Sequence, residues 1–242
     1  HPNFFSGNLK KYTEKLIYIP YFVLDEVAPD NEKVIENIKH FCFMPGIINA
    51  DKVIVQSEDM KKIYIKEYLK AAKTHGLQGR HLEKFLGLGS PKYDRVCSTK
   101  REDLDIPQEW LKVIEKADGS WKKIILYNTG IASLLAYNEK WVDKIESVLK
   151  IFKENQNEIA LLWRPHPLIE STMKSMRPKV LRKFMAIKED YITQGWGIYD
   201  ETADVDRAVV LSDAYYGDGS SVVQLYRQTG KPVMIQNVEV VI

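Results

Sequence analysis

Short apolar runs alternate with longer amphipathic segments along most of the chain, and this alternation constrains the fold more than any other feature. A short run rich in β-branched residues is typical of a buried strand, whereas apolar residues at every third or fourth position are typical of a helix. Strands that alternate with helices form parallel sheets, because each helix returns the chain to the same edge of the sheet. The sequence therefore predicts an α/β protein with parallel sheets. We expect strands within residues 16–23, 51–57, 122–127, 159–163 and 231–237, and helices within 31–40, 57–73, 139–153, 171–192 and 205–211.

Residues 96–105 are polar and charged and have no hydrophobic period, so we expect a linker there. The linker divides the chain into a first domain, residues 1–98, and a second domain, residues 99–242. The sequence begins at His1 without a methionine and ends just after a strand-like segment. Both ends therefore look cut, and we expect the first domain to be incomplete.

Composition argues against several classes of protein. The chain has 242 residues, of which 45% are hydrophobic and 28% charged, and its net charge of +2 does not favour a nucleic-acid partner. Cys42 and Cys97 have no CxxC spacing, so we expect reduced thiols in a cytoplasmic protein and neither a disulfide nor a zinc site. No metal and no other cofactor is expected.

Four lysines alternate with apolar residues in the helix predicted at 57–73, namely Lys61, Lys62, Lys66 and Lys70. They form either the solvated face of an amphipathic helix or a patch that rests on anionic lipid. A peripheral contact with the inner face of the membrane therefore stays open. No apolar run approaches the roughly 20 residues that cross a bilayer.

Residues 164–167 read Arg-Pro-His-Pro and directly follow a predicted strand. Ligands of open α/β sheets bind at the carboxyl ends of strands. Arg164 offers a planar fork that suits phosphate, and His166 offers a hydrogen bond or a proton near neutral pH. The alternative is a surface arginine and a structural histidine in a proline-rich turn.

Residues 212–221 read Ser-Asp-Ala-Tyr-Tyr-Gly-Asp-Gly-Ser-Ser, which predicts a strand, a glycine-containing turn and the start of a helix. Free backbone N–H groups and the helix dipole favour an anion at such a position. Gly219 allows close approach of a ligand, and Ser220 and Ser221 supply hydroxyl groups. The alternative is that one of the serines only caps the helix. The roles of Asp213 and Asp218 stay open.

Two weaker signals lie elsewhere. Thr129 and Gly130 follow the strand at 122–127 and form either a third phosphate-binding turn or a plain turn. His75 and His81 are six residues apart without matching ligands, so we interpret them as surface histidines.

The motifs at 164–167 and 212–221, followed by Lys231-Pro232, resemble those of the CDP-glycerol glycerophosphotransferase family, the wall teichoic acid primases and polymerases. Residues 86–94, Leu-Gly-Leu-Gly-Ser-Pro-Lys-Tyr-Asp, are similar to the inter-domain segment of these enzymes, and residues 18–22, Tyr-Ile-Pro-Tyr-Phe, to a segment of some members. The resemblance implies a glycosyltransferase-B arrangement of two Rossmann-like domains. Residues 1–98 would be part of the acceptor-side domain and residues 99–242 would bind the nucleotide donor.

The resemblance also implies roles for single residues. Arg164 and His166 would be catalytic and meet the donor diphosphate. Ser220 and Ser221 would bind phosphate. From the residues themselves, and not from the resemblance, we also expect Thr129 and Gly219 to bind phosphate and Asp213 and Asp218 to contact the nucleotide or polyol. An acceptor hydroxyl on a cell-envelope glycan or polyol phosphate would attack the β-phosphate of a CDP-linked donor and displace CMP.

The sequence departs from the family pattern at two places. The His-Gly motif of the catalytic base is absent, and the terminal pair His1-Pro2 does not replace it. The Asp-Tyr-Ser-Ser pattern is here Asp-Gly-Ser-Ser, so a glycine stands where the family pattern has a tyrosine. Two alternatives therefore stay open, a glycosyltransferase that uses a nucleotide-sugar and a non-catalytic nucleotide- or glycan-binding module.

Overall fold

A computed structural model of the chain describes residues 5–76 and 82–236. It divides into two compact units, His1–Asp94 and Arg95–Ile242. The boundary that we expected after residue 98 lies four residues later, at the end of the helix Pro91–Ser98. His1, Pro2, His81 and the end of the strand predicted at 231–237 lie outside the described residues.

The first unit contains a three-stranded parallel sheet in the order β1-β2-β3, formed by Ile17–Tyr18, Lys52–Val55 and Phe85–Gly87. Its helices are α1 (Ser6–Leu9), α2 (Glu32–Ile38), α3 (Pro45–Asn49) and α4 (Glu58–Thr74), and α5 (Pro91–Ser98) starts in it. Helix α4 begins as the sequence predicted, because the Ser57 hydroxyl accepts the backbone N–H of Met60 at 3.1 Å.

The lysines of α4 pair with nearby carboxylates. Lys62 contacts Asp59 at 2.7 Å, and Lys70 contacts Glu67 at 2.7 Å. These pairs neutralise much of the basic face, which favours the interpretation as a solvated helix face. No helix in the described residues is both long enough and apolar enough to span a membrane.

The second unit is built on a five-stranded parallel sheet in the order β6-β5-β4-β7-β8. The strands are β4 (Lys123–Thr129), β5 (Ile159–Pro165), β6 (Ile198–Tyr199), β7 (Ala214–Gly217) and β8 (Val233–Ile235). The helices are α6 (Gln108–Ile114), α7 (Ile131–Tyr137), α8 (Glu139–Glu154), α9 (Ile169–Met176), α10 (Pro178–Gln194), α11 (Val205–Leu211) and α12 (Ser221–Arg227). The α/β class with parallel sheets is therefore confirmed.

Local signals decided several boundaries of these elements. Pro178 separates α9 from α10, which confirms the predicted break. Strand β6 was not predicted, because a two-residue strand has no detectable period. The predicted linker at 96–105 is partly wrong, since Val96 is a buried residue of α5 and Arg101 pairs with Asp213 at 3.1 Å.

The core of the second unit lies between the sheet and helices α8, α9 and α10. It centres on the fully buried aromatic residues Trp141, Trp163 and Phe184. The ring of Trp163 meets the edge of Tyr191 with centroids 5.4 Å apart. Aromatic packing of this kind holds the middle of the sheet rigid and thereby positions the loops at its edge.

The order of the strands identifies one crevice. From β4 the chain proceeds to β5 and β6 on one side, and then returns to β7 and β8 on the other side of β4. The connections that follow β4 and β7 therefore diverge. In open α/β sheets, ligands bind outside the carboxyl ends of the strands at such a switch point.

Candidate functional site

The two sequence motifs meet at the carboxyl edge of the second sheet. Asn128 near the end of β4 lies opposite Arg164 of β5 on one side and Gly217 of β7 on the other. The loop with His166 and the loop at residues 218–220 therefore flank the end of the same strand. Their proximity follows from register and could not be read from sequence spacing.

His166 is held in a defined orientation beside the end of β4. Its backbone N–H donates to the Thr129 carbonyl at 2.9 Å, and its Nδ1 accepts the backbone N–H of Leu168 at 3.1 Å. Desolvation lowers the pKa of the imidazole below its usual value of 6.5. The ring is therefore neutral near pH 7 and carries its proton on Nε2, where it can donate a hydrogen bond.

Arg164 is buried at the end of β5, and it lines the cavity beside His166 while protein partners hold its guanidinium. Its NH1 pairs with the fully buried Asp200, and its NH2 donates to the Thr202 carbonyl at 2.7 Å. Asp200 in turn accepts the backbone N–H and the hydroxyl of Thr202 at 2.9 and 2.7 Å. Arg164 therefore ties the end of β5 to the loop after β6, and its expected contact with the diphosphate stays a prediction.

Ser220 and Ser221 differ in their surroundings although they are adjacent. Ser220 is the N-cap of α12: its Oγ accepts the backbone N–H of Val222 at 3.2 Å and donates to Oδ1 of Asn128 at 2.9 Å. Ser221 is exposed at the first turn of the helix. The alternative of a capping serine therefore applies to Ser220, and Ser221 has the hydroxyl that a ligand can reach.

Glycines shape the loop between β7 and α12. Gly217 has φ of +135°, and a Cβ there would lie 2.2 Å from the Asn128 carbonyl oxygen. Gly219 is exposed, and a Cβ there would meet no heavy atom within 4 Å. Within the described residues, the backbone N–H groups of Gly219, Ser220 and Ser221 have no protein acceptor.

Asn128 is a central residue of the edge that the sequence analysis missed. It is buried, its Nδ2 donates to the Arg164 carbonyl at 2.9 Å, and its Oδ1 accepts the hydroxyls of Ser220 and Tyr215. It thus joins β4 to β5 and to the loop after β7. The only sequence signal is an amide side chain at the end of an apolar strand.

Asp218 is buried and fully engaged with protein donors. Its carboxylate accepts the backbone N–H of Gly130 at 2.8 Å, the indole N–H of Trp141 at 2.8 Å and the ammonium of Lys144 at 2.7 Å. Asp218 thus has three protein donors, and its expected contact with nucleotide or polyol stays a prediction. Trp141 and Lys144 were not among the expected site residues, although their spacing of three places both on one face of α8.

Thr129 and Asp213, two further residues expected in the site, also contact protein groups. Thr129 is fully buried, and its hydroxyl accepts the indole N–H of Trp163 at 3.2 Å, so it does not line the crevice. Asp213 accepts the backbone N–H of Ile124 at 2.8 Å near the start of β4. It therefore lies at the amino edge of the sheet, roughly 15 Å from the carboxyl edge at about 3.3 Å per residue.

A cavity of about 460 Å³ opens beside His166 at the ends of β5 and β6. Its wall includes Tyr199 and the half-buried Lys188, whose ammonium lies 2.7 Å from Glu170 and 2.6 Å from Glu201. Burial alone would lower the pKa of Lys188, but the hydrogen bonds to both carboxylates raise it above its usual range. The volume is within the range of small-molecule sites.

A metal centre is not formed by the part of the chain that the structure describes. No group of three or more His, Cys, Asp or Glu side chains is arranged there to hold an ion. His75 instead stacks on Phe43 with ring centroids 5.4 Å apart.

No protein-family profile and no curated protein matches the sequence. Among solved structures, a variant of the wall teichoic acid polymerase TagF matches with a TM-score of 0.47 and 19% identity over 87% of this chain and 44% of that chain. A UDP-forming trehalose-phosphate synthase from Burkholderia xenovorans, in complex with glucose-6-phosphate, matches with a TM-score of 0.45 and 10% identity over 96% of this chain and 55% of that chain. The chain spans less than half the length of this TagF chain. TagF is a wall teichoic acid polymerase, the kind of protein that the sequence motifs resemble.

Proposed function

We propose that the second unit binds a CDP-linked donor and that the protein transfers glycerol phosphate, or a related polyol phosphate, to a cell-envelope glycan or polyol-phosphate acceptor. The motifs at 164–167 and 212–221 support this family of reactions. One observation carries the proposal: His166 and the amino end of α12 flank the carboxyl end of β4, at the switch point of the sheet.

The spacing of these groups suits a diphosphate. Strands β5 and β7 lie on opposite sides of β4, so the loops that carry His166 and Ser221 are separated by two strand spacings, about 10 Å. A diphosphate with a hydrogen bond at each end spans a comparable distance. The donor would therefore lie across the end of β4, with its nucleoside or its polyol directed to the cavity beside His166.

The chemistry requires hydrogen-bond donors, rather than acceptors, beside the phosphate groups at the end of β4. The acceptor hydroxyl attacks the β-phosphorus, a new P–O bond forms, and the bond from that phosphorus to the bridging oxygen breaks as CMP leaves. The acceptor proton passes to a base. His166 Nε2–H and the Ser221 hydroxyl would donate hydrogen bonds to the phosphate oxygens, on which negative charge develops.

Ligand binding tests the proposal directly. CDP-glycerol at about 100 times its Kd should stabilise the fold by about 2.7 kcal/mol, because it binds the native state only. His166→Ala should abolish most of this stabilisation by CDP-glycerol. His75→Ala is the matched control and should retain it. A shift with UDP- or GDP-sugars alone would favour a nucleotide-sugar glycosyltransferase. The absence of a shift with every nucleotide would contradict the proposed site.

A further inference from the structure

We infer that Asp218 and Lys144 form a positioning pair that holds the loops of the donor site in place without touching the donor. The inference rests on the proposed function and names a role that the sequence motif alone leaves open. It depends on four contacts of one carboxylate and one ammonium, all of them in the second unit.

The carboxylate of Asp218 joins two loops of the crevice. Asp218 itself belongs to the loop between β7 and α12, and it accepts the backbone N–H of Gly130, the N-cap residue of α7 after β4, at 2.8 Å. The two loops that diverge from the switch point are thus connected by one hydrogen bond. Because the acceptor is charged, this bond is stronger than a neutral one.

Helix α8 supplies the charge balance. Lys144 donates to Asp218 at 2.7 Å, and Trp141, one turn earlier, donates at 2.8 Å. The side chains of Lys144 and Asp218 are 4% and 1% exposed, so water does not screen them. A bare carboxylate at this depth would repel a phosphate group nearby, and the ammonium removes that repulsion.

The same ammonium reaches a third loop. Lys144 Nζ also donates to the carbonyl of Gln236, directly after β8, at 2.9 Å. The ends of β4, β7 and β8 are therefore held by a single ion pair. Asp218 also accepts the backbone N–H of Gly130, so that N–H is not available to the donor. The amino end of α12, with Ser221, would then contact the donor.

Three variants separate this role from simple stabilisation. Asp218→Asn removes the charge from the carboxylate, Lys144→Met removes the ammonium, and Trp141→Phe removes one donor while keeping the ion pair. Lys150→Met, an exposed lysine of the same helix, is the control. Each variant is compared with the wild type by its Kd for CDP-glycerol, its Tm and the amide resonances of Gly130 and Ser221 in the full chain.

We expect Asp218→Asn and Lys144→Met to raise the Kd for CDP-glycerol about 10- to 100-fold, because small displacements of positioned groups have effects of this size. The Gly130 amide resonance should move in Asp218→Asn. The Kd should be raised even at temperatures well below the Tm, where the variant is folded. Trp141→Phe should have a smaller effect on Kd, and Lys150→Met none.

Folded variants with a displaced Gly130 resonance and a wild-type Kd would overturn the inference. If Asp218→Asn does not fold, Lys144→Met and Trp141→Phe decide the question by the same measurements. A wild type that binds neither CDP-glycerol nor CDP would overturn the proposed function and this inference with it. The two failures can be distinguished. Failure of the proposed function shows in the wild type as an absence of binding, whereas failure of the inference alone shows only in the variants.

Discussion

His166 keeps a neutral imidazole because its surroundings penalise the charged form. A charged ring would attract a diphosphate more strongly, but the neutral ring has one defined proton on Nε2, fixed by the contact of Nδ1 with Leu168. Ser220 is committed in a similar way, since its hydroxyl contacts both Asn128 and Val222. At the residue scale, hydrogen-bond partners therefore decide which groups remain for a ligand.

The lowered pKa of His166 predicts a pH dependence of stability. Its pKa in the folded protein lies below the 6.5 of the unfolded chain, so the unfolded state binds more protons and stability falls as the pH drops through that window. Above the window both states are neutral. When the pH is lowered from about 8 to about 5, the Tm of His166→Gln should therefore fall less than the Tm of the wild type. An equal loss of Tm in both proteins would contradict a neutral imidazole.

The two serines predict opposite phenotypes. Ser220→Ala removes the N-cap of α12 and should lower the free energy of unfolding by about 1 kcal/mol. Ser221→Ala should leave the free energy of unfolding unchanged and weaken the binding of CDP-glycerol. Urea denaturation and titration calorimetry on both variants check this. Loss of binding in Ser220→Ala alone would reverse the assignment.

Strands and helices act through their ends in this site. The carboxyl end of β4 is the meeting point, because Asn128 reaches β5 through the Arg164 carbonyl and the loop after β7 through Ser220. The approach of β7 to β4 is close enough at Gly217 that no side chain fits. Element geometry therefore sets the width of the crevice.

This close approach predicts the effect of two glycine substitutions. Gly217→Ala should destabilise the protein by about 3 kcal/mol or more, since it adds a positive-φ strain to a clash with backbone. Gly219→Ala has open space and is the control for stability. Thermal denaturation compares the two. Similar Tm values for both variants would argue against the described path of the loop.

The second unit has its own sheet, its own core and every residue of the candidate site. A unit with a separate core is expected to fold without the rest of the chain. At the scale of the whole molecule, donor binding is thus expected to be a property of one unit.

A fragment of residues 91–242, which keeps α5 whole, tests this expectation. It should unfold cooperatively and bind CDP-glycerol with the Kd of the full chain. Circular dichroism and titration calorimetry measure both properties. A folded fragment without affinity for CDP-glycerol, next to a full chain that binds it, would show that the first unit contributes to donor binding.

The sequence by itself determined the α/β class, the starts of α4 and α10, and the fact that residues 166–167 and 218–221 follow strands. These features depend on local patterns, namely hydrophobic period, capping residues and prolines, which act over a few residues. Only the tertiary structure decided what the charged side chains do. Arg164 pairs with Asp200, Asp218 pairs with Lys144, and Asp213 lies at the opposite edge of the sheet. These partners are 36 and 74 residues apart, so strand order and register bring them together. A buried charge takes its role from such a partner, because burial without one is unfavourable.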